Sequence, residues 1–239
     1  ADCYHNYFAN DFEKIDSEFG TMQDYIALVK EIHRRGMKIY MDMETQYVAE
    51  KHLWWKDALG NLNSPYSDYL LFDDAAHKIP STMVFDLRQL NSFDGSFIKV
   101  TTVNLRNKNV LAYNKKLFGY FVDPNNDGKF DDGVDGFRLD HAMDHLDGKS
   151  ALTNLFVDFW NPLMTHLKKQ NPALNNMAEQ AEWRDYGLEY FKKAGVDRMF
   201  GFGLQQAIVS FDKQNLIRNA DSILVNCPKG KEQIIFIEN

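Results

Sequence analysis

The stretch Gly133-Val134-Asp135-Gly136-Phe137-Arg138-Leu139-Asp140 decides how this chain folds. It reads as a short buried β-strand that ends in an arginine and an aspartate two residues apart. Alternate strand residues face the same way, so Arg138 and Asp140 share a face at the strand's C-terminal end. A carboxylate beside a guanidinium is expected to keep a low pKa and stay ionised, as a nucleophile must. Taken alone, an Arg-x-Asp pair is by default a structural ion pair. Its surroundings decide what it is.

Upstream, residues 21–35 carry Tyr25, Leu28, Val29 and Ile32 at helical spacing, with Thr21 as N-cap and Gly36 as the stop. Met37 to Met43 then reads as a buried strand. A helix leading through a glycine into a parallel strand is the grammar of α/β barrels. The same alternation resumes around the central stretch. A helix is expected near 106–121, and a long one over 149–170 that is interrupted or restarted around Pro162. A strand follows at 174–179, a helix at 184–193 ending at Gly195, a strand at 196–200, a helix at 203–219 and a strand at 232–238. The fold class is therefore α/β, and alternation over this length favours a (β/α)8 TIM barrel over an open sheet. Residues 48–105 differ in kind. Their turn residues, short apolar pieces and the cluster Leu53-Trp54-Trp55 predict an irregular excursion inserted after a barrel strand.

The 239 residues are enough for one large core. A net charge of −7 with scattered basic residues leaves no nucleic-acid footprint and no anionic-membrane footprint. No apolar run has the length of a transmembrane helix. Cys3 and Cys227 match no metal spacing and no disulfide framework; two unpaired thiols are expected over one long-range bridge. The 14% aromatic content suits a carbohydrate site, where flat rings lie on sugar faces, and equally a well-packed core.

Asp123-Pro124-Asn125-Asn126-Asp127-Gly128-Lys129-Phe130-Asp131-Asp132 is a separate signal. Oxygen side chains at alternate positions, with glycine sixth, repeat the opening of an EF-hand-type calcium loop. Asp123, Asn125, Asp127 and Asp131 are the candidate calcium ligands. Val134 stands at the twelfth position, where the bidentate glutamate would be. The alternative is a solvated Asx-rich turn.

Gly-Phe-Arg-x-Asp resembles the nucleophile strand of the α-amylase family, glycoside hydrolase family 13, and other stretches match in order. Asn176-Met177-Ala178-Glu179-Gln180 is similar to the strand that carries the general acid/base. His5-Asn6-Tyr7, Asp11, Ile15-Asp16 and Phe19-Gly20-Thr21 resemble the family's stretch around its sugar-stacking tyrosine. The resemblance implies Asp140 as nucleophile and Glu179, preferred over Glu182, as acid/base. Retaining glycosidases hold two such carboxyls about 5–5.5 Å apart. It further implies Tyr7 as the residue stacking on the sugar and Asp42 as support for Arg138.

Departures from the family pattern are specific. Its Asp-x-x-x-Asn-His appears as Asp42-Met43-Glu44-Thr45-Gln46-Tyr47, which lacks a common calcium ligand and a substrate-contacting histidine. Tyr47, at the histidine's place, becomes a candidate substrate-binding residue. After the nucleophile, Met143 and Asp144 stand where many members have lysine and histidine. Trp54, Trp55, His52 and Tyr66 are either sugar platforms or the small core of a protruding subdomain. The last strand ends on Asn239, where the family continues as Asn-His-Asp; Asn239 is a candidate substrate contact and the third catalytic acid is absent.

The resemblance thus implies barrel segments over 1–47, with the third strand, and 106–239, with the fourth to seventh, around a subdomain over 48–105. The chain is expected to be an incomplete catalytic domain, inactive and poorly stable alone. The implied activity is retaining cleavage of α-1,4-glucosidic bonds in α-glucans of the starch type. The alternatives are an α-glucan transglycosylase and a non-catalytic glucan-binding homologue. A secreted or periplasmic location is expected, because large glucans are mostly met outside the cytoplasm.

Overall fold

The structure, a computed structural model, describes residues 7–179 and 187–237. Thr21 opens the first helix through a reciprocal cap. Its hydroxyl accepts from the Asp24 amide at 3.2 Å, and the Asp24 carboxylate accepts from the Thr21 amide at 2.8 Å. Helix α1 spans Met22–Arg34, and Gly36, at φ +72°, turns the chain towards strand β1, Tyr40–Met43. Val29 is buried, whereas Leu28 faces solvent.

The excursion holds more order than its turn-rich sequence predicts. Strand β2 (Tyr47–Ala49), helix α2 (Leu53–Ala58), strand β3 (Gln89–Asn91) and strand β4 (Phe97–Thr102) form its elements. The strands make an antiparallel sheet in the order β2-β4-β3. Trp54 and Trp55 are buried. The Trp54 ring packs edge-on against Tyr69 at 5.0 Å and Tyr113 at 4.9 Å. These rings are core rather than sugar platforms. His52 is buried among them, which pushes its imidazole down to about 4.

Asn107 caps helix α3 (Lys108–Val122), its side-chain oxygen accepting from the Asn109 amide at 2.7 Å. The loop that follows delivers strand β5, Gly136–Leu139. Glycine is required here by close approach: a Cβ on Gly136 would lie 2.1 Å from the Asn175 carbonyl oxygen, and one on Gly133 1.8 Å from that of Val122. The helix expected from residue 149 begins later. A π-helical turn over Phe156–Trp160 runs directly into α4, Asn161–Gln170. The interruption expected around Pro162 is thus a change of helical pitch.

Strand β6 (Met177–Ala178) is followed by a helical turn, Tyr190–Ala194, closed by Gly195 at φ +81°, and then by β7, Arg198–Phe200. The single helix expected over 203–219 is two, α5 (Phe202–Val209) and α6 (Lys213–Asn226). Between them Phe211 takes φ +53°, and Asp212 caps α6 by accepting from the Gln214 and Asn215 amides at 2.8 and 3.0 Å. A good N-cap here overrides an apolar pattern that runs straight through it. Strand β8 (Glu232–Ile234) completes the order.

The second sheet is parallel, in the order β1-β5-β6-β7-β8. Asp42 pairs in register with Arg138, Arg138 with Met177 and Met177 with Arg198. Five parallel strands linked in sequence by helical crossovers make a partial (β/α)8 barrel. Phe137, Leu139, Ala178 and Met199 are buried in the core, which continues outward to Phe118, Phe159, Trp160 and Leu163 of the crossover helices. Every strand presents its C-terminal end at the same edge.

Candidate active site

That edge gathers four strand ends around one guanidinium. Arg138, on β5, points its Nη1 at three partners: Asp42 Oδ1 at 3.0 Å, the Tyr7 hydroxyl at 3.0 Å, and the Asp140 carboxylate. Its Nη2 lies 3.4 Å from Glu179 Oε1, just beyond β6. The Phe200 ring at the end of β7 sits under the guanidinium, 5.9 Å from Cζ to the ring centre. Tyr7 closes the group by donating its hydroxyl to Asp42 Oδ2 at 2.9 Å. The structure therefore brings together Tyr7, Asp42, Arg138, Asp140 and Glu179.

The electrostatics differ from the sequence expectation in one respect. Burial raises the Asp140 pKa more than Arg138 lowers it, and the neighbouring Glu179 carboxyl pushes the same way. Asp140 is therefore raised above its ordinary value rather than held low. Burial opposes the charge of Arg138, but Asp140, Asp42 and Glu179 outweigh it and raise its pKa. The Tyr7 phenol is also pushed up, by burial and by Asp140 and Asp42.

Tyr47 stands elsewhere than expected. It is only 2% exposed, and its hydroxyl donates to Asp147 Oδ2 at 2.7 Å, so it presents no face to the cleft. Asp147 Oδ1 lies 3.1 Å from His141 Nε2, which ties Tyr47 to the residue after Asp140. Asn239, His5, Asn6 and Glu182 lie outside the described residues, as does Cys3. Cys227 is a free thiol that donates to the Lys231 carbonyl at 3.3 Å.

The proposed calcium ligands turn back onto their own loop. Asp123 accepts from the Gly128 amide at 2.9 Å, Asn125 from the Asp127 amide at 2.9 Å and Asp127 from the Lys129 amide at 2.8 Å. Asp131 faces solvent, 3.9 Å from Lys30 Nζ. Among the described residues, no three His, Cys, Asp or Glu side chains converge as a metal site. At the family's other calcium position, the Gln46 amide nitrogen donates to the carbonyls of Asp140 and His141. A cation needs those oxygens facing it rather than an N–H group. The Gln46 place does not fit calcium; in the loop, the buried Asp132 Oδ1 has no hydrogen-bond partner and lies near the charges of Asp131, Asp123 and Asp127, so oxygens that a cation would take are present there.

Sequence reasoning overlooked two residues here. Gln46 counted only as a missing asparagine, and Glu44 went unread in any role. Glu44 is buried, its Oε1 accepts from the Gln46 and Tyr47 backbone amides at 2.7 and 2.8 Å, and the Phe8 backbone also hydrogen-bonds its carboxylate. An acidic residue amid the apolar run Tyr40–Met43 and Tyr47–Ala49 was the signal available.

A partial barrel with paired carboxyls and an arginine at its C-terminal strand edge defines the class: a barrel of the glycosidase type. The model of the α-amylase catalytic domain matches residues 1–215. The chain belongs to the α-amylase family of glycoside hydrolases. It is 25% identical over 207 residues to alpha-amylase 3 of Dictyoglomus thermophilum, covering 87% of this chain and 39% of that protein. It is 28% identical over 167 residues to an amino acid transporter heavy chain of Homo sapiens, covering 64% of this chain and 23% of that one. The crystal structure of an alpha-amylase from H. orenii superposes with a TM-score of 0.78 at 23% identity, over 100% of this chain and 50% of that one. The chain thus spans well under two thirds of the proteins it matches.

Proposed function

We propose that the protein cleaves α-1,4-glucosidic bonds in starch-type α-glucans with retention, through a covalent glucosyl-aspartate. The observation that carries this reading is one guanidinium set against two carboxyls: Arg138 contacts Asp140 and lies 3.4 Å from Glu179. Asp140 attacks the anomeric carbon while the bond from that carbon to the glycosidic oxygen breaks. Glu179 gives its proton to the departing oxygen. Glu179 then takes a proton from water, whose oxygen displaces Asp140 and restores both groups. Arg138 favours the ionised form of Asp140, and Asp42 with Tyr7 holds Arg138 in place. The Tyr7 ring is proposed as the platform for the sugar.

The Gln46-Tyr47 pair, standing where the family has asparagine and histidine, favours a second reading, a non-catalytic homologue that binds glucan. The test is to incubate the full-length protein with maltoheptaose and follow reducing ends and product anomers by NMR. Reducing ends appearing first as the α-anomer support retaining hydrolysis. Longer oligosaccharides indicate transfer to a sugar hydroxyl, and binding without turnover indicates the non-catalytic homologue.

A further inference from the structure

Gln46, just beyond β1, touches no part of a substrate in the reaction above, yet every polar atom of its amide is engaged. It is fully buried. Its Nε2 donates to the Asp140 carbonyl and, at 3.1 Å, to the His141 carbonyl, while its Oε1 accepts from the Thr45 amide at 2.7 Å. The support behind it is stiff. Glu44 Oε1 accepts from the Gln46 backbone N–H at 2.7 Å, and the Thr45 hydroxyl donates to Asn114 of α3 at 2.8 Å.

The two carbonyls that Gln46 holds are those of the nucleophile and of the residue after it, two successive peptides of one turn. His141 takes φ +47°, a backbone conformation that side-chain-bearing residues adopt only when their surroundings fix it. In that conformation its amide donates to Glu179 Oε2 at 3.1 Å. One turn therefore carries Asp140 directly and holds Glu179 through a hydrogen bond. We propose that Gln46 is a positioning residue, its amide clamping this turn so that the two catalytic carboxyls keep their relative placement. The inference rests on Asp140 and Glu179 as nucleophile and acid/base. It assigns to an uncharged side chain the alignment of both.

The test compares Gln46→Met, similar in length but without an amide, with Leu163→Ala, a buried residue of α4 outside the site. Both are made in the full-length protein and assayed on maltoheptaose across pH. Gln46→Met is expected to lower kcat about 10–100-fold, the scale of a small misplacement of reacting groups, with KM little changed. The acid limb of its pH profile moves upward as Asp140 loses its fixed place against Arg138. Leu163→Ala, matched for loss of melting temperature, leaves that limb where it was. A Gln46→Met protein with parental kcat and pH profile overturns the clamp, as does a control that reproduces the effect. If Gln46→Met does not fold, Gln46→Asn, with the same donors on a shorter arm, is read by the same criteria. An inactive but folded parent refutes the glycosidase reading instead. The clamp then stands or falls on whether hydrogen-exchange protection of the His141 amide drops in the variant.

Discussion

Arg138 is the residue on which the site turns, because it meets Asp42, Tyr7, Asp140 and Glu179 at once. Its effect on Asp140 has a definite sign. Arg138 lowers the Asp140 pKa, while burial and Glu179 raise it further. Arg138→Gln removes the lowering influence, so Asp140 stays protonated to higher pH. The acid limb of kcat/KM is expected to move to higher pH and kcat to fall, measured by initial rates across pH. An unmoved limb would mean that Arg138 does not govern the ionisation of Asp140. At this scale, the members of the cluster were legible from spacing and resemblance. Their burial was not, and burial is what reverses the expected direction for Asp140. Tyr47 shows the same gap. Its position marked it as a substrate contact, but the nearby Asp147 that takes its hydroxyl is a hundred residues away in sequence.

At the scale of elements, the strand that carries Arg138 depends on a glycine. A side chain on Gly136 would drive into the Asn175 carbonyl oxygen, 2.1 Å from the new Cβ, and the obstacle is backbone. Gly136→Ala is expected to destabilise the fold by about 1–3 kcal/mol, as overpacking does, and to displace Arg138 two residues on. Urea denaturation checks the first, and a midpoint equal to the parent's would contradict it. Local signals served well where a cap, a periodic face and a stop agreed, as in α1. They failed where a short-range rule cut across a long apolar pattern, as Asp212 does between α5 and α6. The antiparallel sheet of the excursion was hidden for another reason. Its β2 and β3 are three residues each, too short for periodicity to show, and β2 finds its partner β4 only some fifty positions on, Tyr47 opposite Thr102.

At the scale of the whole molecule, alternation of helix and strand favoured a barrel over an open sheet but could not show closure, since both join parallel strands by right-handed crossovers; the resemblance supplied the rest. Stability carries a signature of the site as well. Burial, aided by Asp140, pushes the Glu44 carboxyl from 4.5 up to about 8. Between those values the folded protein keeps a proton that the unfolded chain has released. The stabilisation is therefore complete below the lower value and is lost as pH rises towards the upper. Glu44→Gln keeps an acceptor for the Gln46 and Tyr47 amides but does not titrate. Its melting temperature is expected to fall less than the parent's across that window. Parallel pH curves for the two proteins would contradict the assignment.

The most direct test of Asp140 as nucleophile is to trap its intermediate. A fluorinated glucosyl inhibitor, which slows release from the enzyme, is added to the full-length protein, and the digested protein is read by mass spectrometry. An adduct on the peptide containing Asp140, lost in Asp140→Asn, is the expected result. An adduct on another carboxylate, or turnover of maltoheptaose undiminished in Asp140→Asn, would contradict it.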